Sequence, residues 1–139
     1  MFLKGKRIFI VEDNPGNLAI ALIYLERQGA IVKFERRGIK VPEIISTQMP
    51  IDVILLDLML PKNANGFDVV DQIRQFPELK SIPMIMVSAA DPDAAMPVAR
   101  QKGLAGFISK PVTPQIAFYV AEVLRGKPVW MGDSGFMFS

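Results

Sequence analysis

The chain has 139 residues, half of them apolar, and a formal net charge of +2, which suits one domain burying roughly 68% of its unfolded-chain surface. Cysteine and histidine are both absent, so a disulfide framework, a thiolate or imidazole metal site and histidine-based acid–base catalysis are excluded. Basic residues are scattered apart from Lys4, Lys6 and Arg7 and the pair Arg36-Arg37, and no run approaches the roughly 20 apolar residues of a membrane span; neither a nucleic-acid nor a membrane partner is expected, and a cytoplasmic protein is.

The opening segment Met1-Phe2-Leu3-Lys4-Gly5-Lys6-Arg7 lacks the long apolar stretch of a signal peptide. Arg7 to Val11 follows as a β-rich run. Asn14 then caps a helix with Pro15 at its first position, Leu18, Leu22 and Leu25 on one face and Gly29 as its stop. Ile31-Val32-Lys33-Phe34-Glu35 alternates and reads as an edge strand. Pro42 sits in the first turn of a short helix ending near Gln48. Val53 to Leu56 is wholly apolar, as an interior parallel strand should be.

Asn65 or Gly66 opens the next helix, with Val69, Ile73 and Phe76 stacked at helical spacing. Residues 84–87 form another apolar strand. Pro97 in the following segment would clash with the carbonyl four residues back, so the spacing predicts a late helix start near Pro97 and a mobile loop over residues 89–96. A strand at residues 106–108 follows. Thr113-Pro114 opens the last helix, which carries Ile116, Val120 and Val123 to a stop at Gly126. Strand and helix taking turns implies an α/β fold with a parallel sheet covered on both faces.

The apolar runs end in Glu12-Asp13, Asp57, Ser88 and Lys110. In a parallel sheet these ends share one edge, where an acidic cluster, a hydroxyl and an ammonium converge on a shallow pocket. Such a pocket suits transfer of a phosphoryl group onto a carboxylate.

The ordered set Val11-Glu12-Asp13-Asn14, Leu55-Leu56-Asp57-Leu58-Met59-Leu60-Pro61 with Gly66, Val87-Ser88-Ala89 and Phe107-Ile108-Ser109-Lys110-Pro111 resembles the receiver domain of two-component response regulators, from about Lys6 to Leu124. The resemblance implies a flavodoxin-like, doubly wound five-stranded sheet in order 2-1-3-4-5 and an aspartate, Asp57, phosphorylated by a sensor histidine kinase or a His phosphotransfer protein. Glu12, Asp13 and Asp57 repel unless a hard cation neutralises them. Mg²⁺ or Mn²⁺ fits, with Asp13, Asp57 and the Met59 backbone carbonyl as ligands and Glu12 acting through water.

Lys110 before Pro111 resembles the family's lysine before a cis proline, whose bend aims the ammonium at Asp57. Ser88 is the expected switch residue, moving towards the phosphoryl group and vacating space that Phe107 fills. Family members often carry tyrosine where Phe107 stands. Met59 and Ala90 occupy the positions that influence hydrolysis in the family; neither orients a water, so slow loss of phosphate is expected. Asp57 is therefore an acceptor with slow autodephosphorylation, and no ordinary enzyme activity is expected.

Residues 1–126 are read as the receiver domain and 127–139 as a tail, too short for an output domain. The expectation is a regulator acting on a downstream protein target by contact, with a homodimer through the fourth helix, fifth strand and fifth helix as a further implication of the resemblance. In the tail, Val129-Trp130-Met131 and Phe136-Met137-Phe138 flank Gly132-Asp133-Ser134-Gly135, the pattern of a small hairpin whose aromatics bury on the last helix or another molecule. Two alternatives stand beside this reading. One is a receiver-like scaffold that is never phosphorylated; the other is a phosphatase of the haloacid dehalogenase type, which needs a second aspartate where Met59 stands.

Overall fold

Strand and helix alternate along the chain, in a computed structural model that describes residues 1–132 and 135–137. The elements are β1 (Arg7–Val11), α1 (Pro15–Arg27), β2 (Ile31–Glu35), α2 (Val41–Thr47), β3 (Val53–Leu56), a short 3-10 turn (Pro61–Asn63), α3 (Gly66–Arg74), β4 (Met84–Ser88), α4 (Pro92–Gln101), β5 (Gly106–Ser109), α5 (Ile116–Leu124), β6 (Val129–Gly132) and β7 (Gly135–Met137). The sheet runs β2-β1-β3-β4-β5-β6-β7. All neighbours pair in parallel except β6 and β7, which are antiparallel. The expected order 2-1-3-4-5 is thus the core of a wider sheet.

Successive side chains of a strand point to opposite faces, and the interior strands are apolar on both. Phe9, Val11, Ile54, Leu56, Met86 and Phe107 belong to a layer closed by α2, α3 and α4. Ile8, Ile10, Val53, Leu55, Ile85 and Ile108 belong to the opposite layer, closed by Leu18, Ala21 and Leu25 of α1 and Ile116, Val120 and Val123 of α5. From β1 the chain passes first to β2 on one side and then to β3 on the other. That reversal opens a crevice at the carboxyl ends of β1 and β3.

Local signals explain most helix ends. The Asn14 side chain accepts from Asn17 N, and that of Asn65 from Phe67 N. Gly29 follows α1 with a positive φ of 94°, where a side chain would be strained. Pro42 lies in the first turn of α2.

Three expectations need correction. α4 starts at Pro92, and residues 89–96 do not form a long loop: Asp91 caps the helix by accepting from Asp93 N, and Pro97 lies inside it. An interior proline costs about 3 kcal/mol, but here it removes only the amide that would reach back to Asp93 in the first turn, while Pro92, Ala95, Met96 and Ala99 are buried. The last helix opens at Ile116 and not at Thr113-Pro114, which form the preceding turn, with Ile116 N donating to Thr113 O at 3.0 Å.

The tail, thirdly, pairs β6 with β7 antiparallel as the expected hairpin, but its seat is a sheet edge and not the last helix alone, with Val129 in the α5 layer and Trp130 in the layer under α4. β6 extends the sheet beside β5, pairing Gly106 with Val129, Phe107 with Trp130 and Ile108 with Met131. Residues 133, 134, 138 and 139, including the expected turn pair Asp133-Ser134, lie outside the described residues.

Candidate phosphoacceptor site

Each candidate side chain stands where a strand gives way to a loop. Glu12 and Asp13 follow β1, Asp57 follows β3, Ser88 ends β4 and Lys110 follows β5. Strand pairing brings these ends to one level: Asp57 N donates to Val11 O at 3.1 Å, and Lys110 N donates to Ser88 O at 3.0 Å.

The carboxylates of Glu12, Asp13 and Asp57 each offer an oxygen within 4.8 Å of the others. Lys110 reaches into the same space, its Nζ 2.7 Å from Asp57 Oδ2 and 2.6 Å from Glu12 Oε1. Asp57 is only 6% exposed, and Met59 N donates to its other oxygen, Oδ1, at 3.1 Å. Its carboxylate is therefore held from two sides. Glu12 is fixed in a similar way, accepting from Asn14 N at 3.2 Å.

One ammonium against three carboxylates leaves a surplus of negative charge in a partly dry pocket. Burial pushes the Glu12 carboxyl above its usual value, more than Lys110 pulls it down. At Lys110 burial works against the charge, but hydrogen bonds to Asp57 and Glu12 outweigh it and raise the pKa. Lys110 thus stays cationic while the acids remain under-compensated. An all-oxygen donor set of this charge fits a hard divalent cation such as Mg²⁺.

The approach to the site depends on glycine at one point. A Cβ at Gly66 would lie 2.2 Å from Asp57 O, so only glycine lets the start of α3 pack on the loop that carries the aspartate; Gly66 N donates to Leu58 O at 2.7 Å. Ser88 is fully buried, and its Oγ accepts from Ala90 N at 3.2 Å. Phe107 is also fully buried, in the layer under α4. The Lys110–Pro111 peptide is cis.

Two contributors were not singled out from the sequence. Arg36 Nη2 donates to Asp13 O at 3.3 Å; its signal was the position of the Arg36-Arg37 pair directly after β2, at the same sheet edge. Glu35 accepts from the amides of Arg37 and Gly38 and from Arg37 Nε, and its own carbonyl accepts from Glu12 N at 3.1 Å. It therefore shapes the loop flanking the acidic pair.

Comparison with known proteins agrees with this geometry. Residues 8–118 match the family model described as the response regulator receiver domain. The chain is 31% identical over 107 residues to Protein PilH of Pseudomonas aeruginosa, covering 76% of this chain and 86% of PilH. It is 33% identical over 106 residues to a Vibrio cholerae protein named "Probable cyclic di-GMP phosphodiesterase", covering 76% of this chain but only 23% of that protein. A solved response-regulator structure from Chloroflexus aurantiacus superposes with a TM-score of 0.78 at 23% identity, covering 89% of this chain and 100% of that one, which is a likeness of fold. These findings give no support to the haloacid dehalogenase alternative.

Proposed function

The chain belongs to the response regulator receiver family of two-component signal transduction, and from that premise we propose that Asp57 is its phosphoacceptor, charged in the cytoplasm by a sensor histidine kinase or a His phosphotransfer protein. One observation carries the reading: a buried aspartate at a strand end is held between a lysine ammonium and a backbone amide, beside two further carboxylates. No helix among the described residues is long and apolar enough to cross a membrane. On this reading the receiver acts on a downstream target by protein contact, with residues 1–126 as the receiver and 127–139 as an appendage to it.

The chemistry follows from the placement. An Asp57 oxygen attacks phosphorus in line, the bond from phosphorus to the donor's imidazole nitrogen breaks with its electrons leaving on that nitrogen, and an acyl phosphate results. Asp13, Asp57 and the Met59 carbonyl would hold Mg²⁺ or Mn²⁺, with Glu12 acting through water, and such an ion supplies the positive charge that offsets the crowded oxygens. Lys110, already on Asp57, turns to a phosphoryl oxygen. Ser88 exchanges its bond from Ala90 for one to the phosphoryl group, and Phe107 adjusts to the space it leaves.

Two charge-assisted hydrogen bonds contribute about 1.5–3 kcal/mol each, whereas moving an equilibrium from 1:99 to 99:1 takes about 5.5 kcal/mol. Phosphorylation therefore shifts a population that a downstream partner completes. Met59 and Ala90, two residues past Asp57 and Ser88, carry no group that positions water, which supports slow hydrolysis.

The test is intact-mass analysis after incubation with acetyl phosphate and Mg²⁺. We expect one added phosphoryl group, lost over many minutes, and no addition to Asp57→Asn. Labelling that persists in Asp57→Asn would overturn the assignment, and no labelling of the wild type would favour the unphosphorylated scaffold.

A further inference from the structure

β5 has two neighbours, and they belong to different parts of the molecule. On one side β4 and β5 together deliver Ser88 and Lys110 to the phosphoacceptor site, with Ser88 paired to Ser109. On the other lies β6, from the tail, with Trp130 opposite Phe107. Trp130 is 4% exposed and Val129 is fully covered. The Arg100 guanidinium of α4 stands 4.7 Å from the Trp130 ring centroid, a cation–π contact. Val129 joins the layer of Val120 and Val123 from α5. The tail thus fills the outer edge of β5 and touches both flanking helices.

β5 is made to receive this strand. A Cβ at Gly106 would lie 2.3 Å from Val129 O, an approach that glycine alone permits. An open edge bounded by apolar helix faces is a strand-accepting surface, where main-chain hydrogen bonds supply affinity and side-chain pockets supply selectivity.

We propose that Val129–Gly132 is a displaceable occupant of this surface, and that phosphorylation of Asp57 loosens it and frees the β5 edge for an extended segment of the downstream partner. The inference rests on the reading of Asp57 as phosphoacceptor. Two elements join the site to the tail. β5 carries Lys110 just beyond one end and, within it, Phe107, the register partner of Trp130. α4 begins immediately after the Ala90 amide that holds Ser88 Oγ and carries Arg100 over Trp130 near its other end. A rearrangement that draws Ser88 and Lys110 onto a phosphoryl group acts on the two elements, β5 and the start of α4, that support the tryptophan. Linkage makes the effect reciprocal: if modification weakens tail docking, loss of docking strengthens modification by the same factor.

Trp130 is the chain's single tryptophan, so its emission reports the tail alone. The experiment adds beryllofluoride with Mg²⁺, the stable mimic of the acyl phosphate, to the full chain, with binding followed by isothermal titration. We expect Trp130 emission to shift to the red and amide exchange of residues 129–132 to accelerate about 100-fold, enough to undock a large share of the tail. Gly106→Ala, which expels β6 without touching the acidic site, is expected to bind beryllofluoride about 100-fold more tightly than wild type, at the upper end of usual couplings. Arg100→Ala, which removes the cation over the ring and leaves the fold intact, should move in the same direction by less. Bound beryllofluoride with unchanged emission and exchange overturns this inference and leaves the phosphoacceptor reading standing. Absence of any Asp57-dependent binding overturns both.

Discussion

The five-stranded core has two flanking strands, β2 and β5, and the protein treats their outer edges in opposite ways. On β2 only Glu35 is buried, while Ile31 and Phe34 are 43% and 47% exposed. Lys33 lies between them, and a charged side chain on an edge strand opposes pairing with another sheet. On β5 the first three residues are buried and a further strand of the same chain occupies the edge. One edge is kept apart by charge and the other by cover. The difference teaches where binding capacity is stored: an apolar edge between two helices is costly to leave bare, so it is the edge that a displaceable segment can regulate.

The largest expected effect tests the covered edge. Truncating a buried tryptophan costs about 3–5 kcal/mol in a rigid core, but a tail that can detach caps the loss at its own docking free energy. Trp130→Ala should therefore fall at the low end, about 3 kcal/mol, seen as a drop in melting temperature of about 10 °C. A drop below about 2 °C would mean that β6 adds nothing to β5 and that the two edges are alike.

The covered edge was also where sequence reading fell short. The five core strands were legible because apolar runs bounded by turn residues have no other use in an α/β chain, and the placing of Glu12, Asp13, Asp57, Ser88 and Lys110 at one sheet edge was legible because each stands at, or within two residues of, the end of such a run. Pairing partners are not written in periodicity. Val129-Trp130-Met131 announces a strand but not that its neighbour is β5, since that choice rests on the missing Cβ of Gly106 and on Arg100, both distant in sequence. The α4 start was misread because Pro97 outweighed Asp91-Pro92, a good capping pair whose value depends on the buried face that follows. Asp71 with Lys102, joined at 2.9 Å, and Arg74, donating to the Lys80 and Gly103 carbonyls at 2.8 and 3.1 Å, are likewise tertiary contacts with no local signature.

A smaller effect tests the charged edge. Burial alone would raise the Glu35 pKa, but the Arg37 guanidinium and the Gly38 and Arg37 amides prevail and lower it. A depressed carboxyl pKa stabilises the fold above the unfolded-state value, near 4.5, and that contribution is lost as pH falls through the lower folded value. With Arg37 largely exposed, Glu35→Gln should cost about 1 kcal/mol at neutral pH. Melting curves of both proteins should converge as pH falls from 4.5 through the lower folded value. The cost of Trp130→Ala, being apolar, should not follow that acid dependence. A pH-independent gap for Glu35→Gln would show that the β2 edge is not secured by charge.

The smallest effect is expected at Phe34, the aromatic counterpart of Trp130 on the open side. Its side chain lines a groove with Lys33, Ile44 and Gln48, yet almost half of its surface meets water, so truncation removes little that folding had buried. Phe34→Ala should change stability by no more than about 0.5 kcal/mol, within one or two degrees of the wild-type melting temperature. Its position on a strand that lacks a further neighbour among the described residues means that any larger loss must come from packing against Ile44 and α2 beneath it. If Phe34→Ala proves as costly as Trp130→Ala, exposure is a poor guide to which edge carries load, and the case for β5 as the regulated side rests on the phosphoryl-linked response of Trp130 alone.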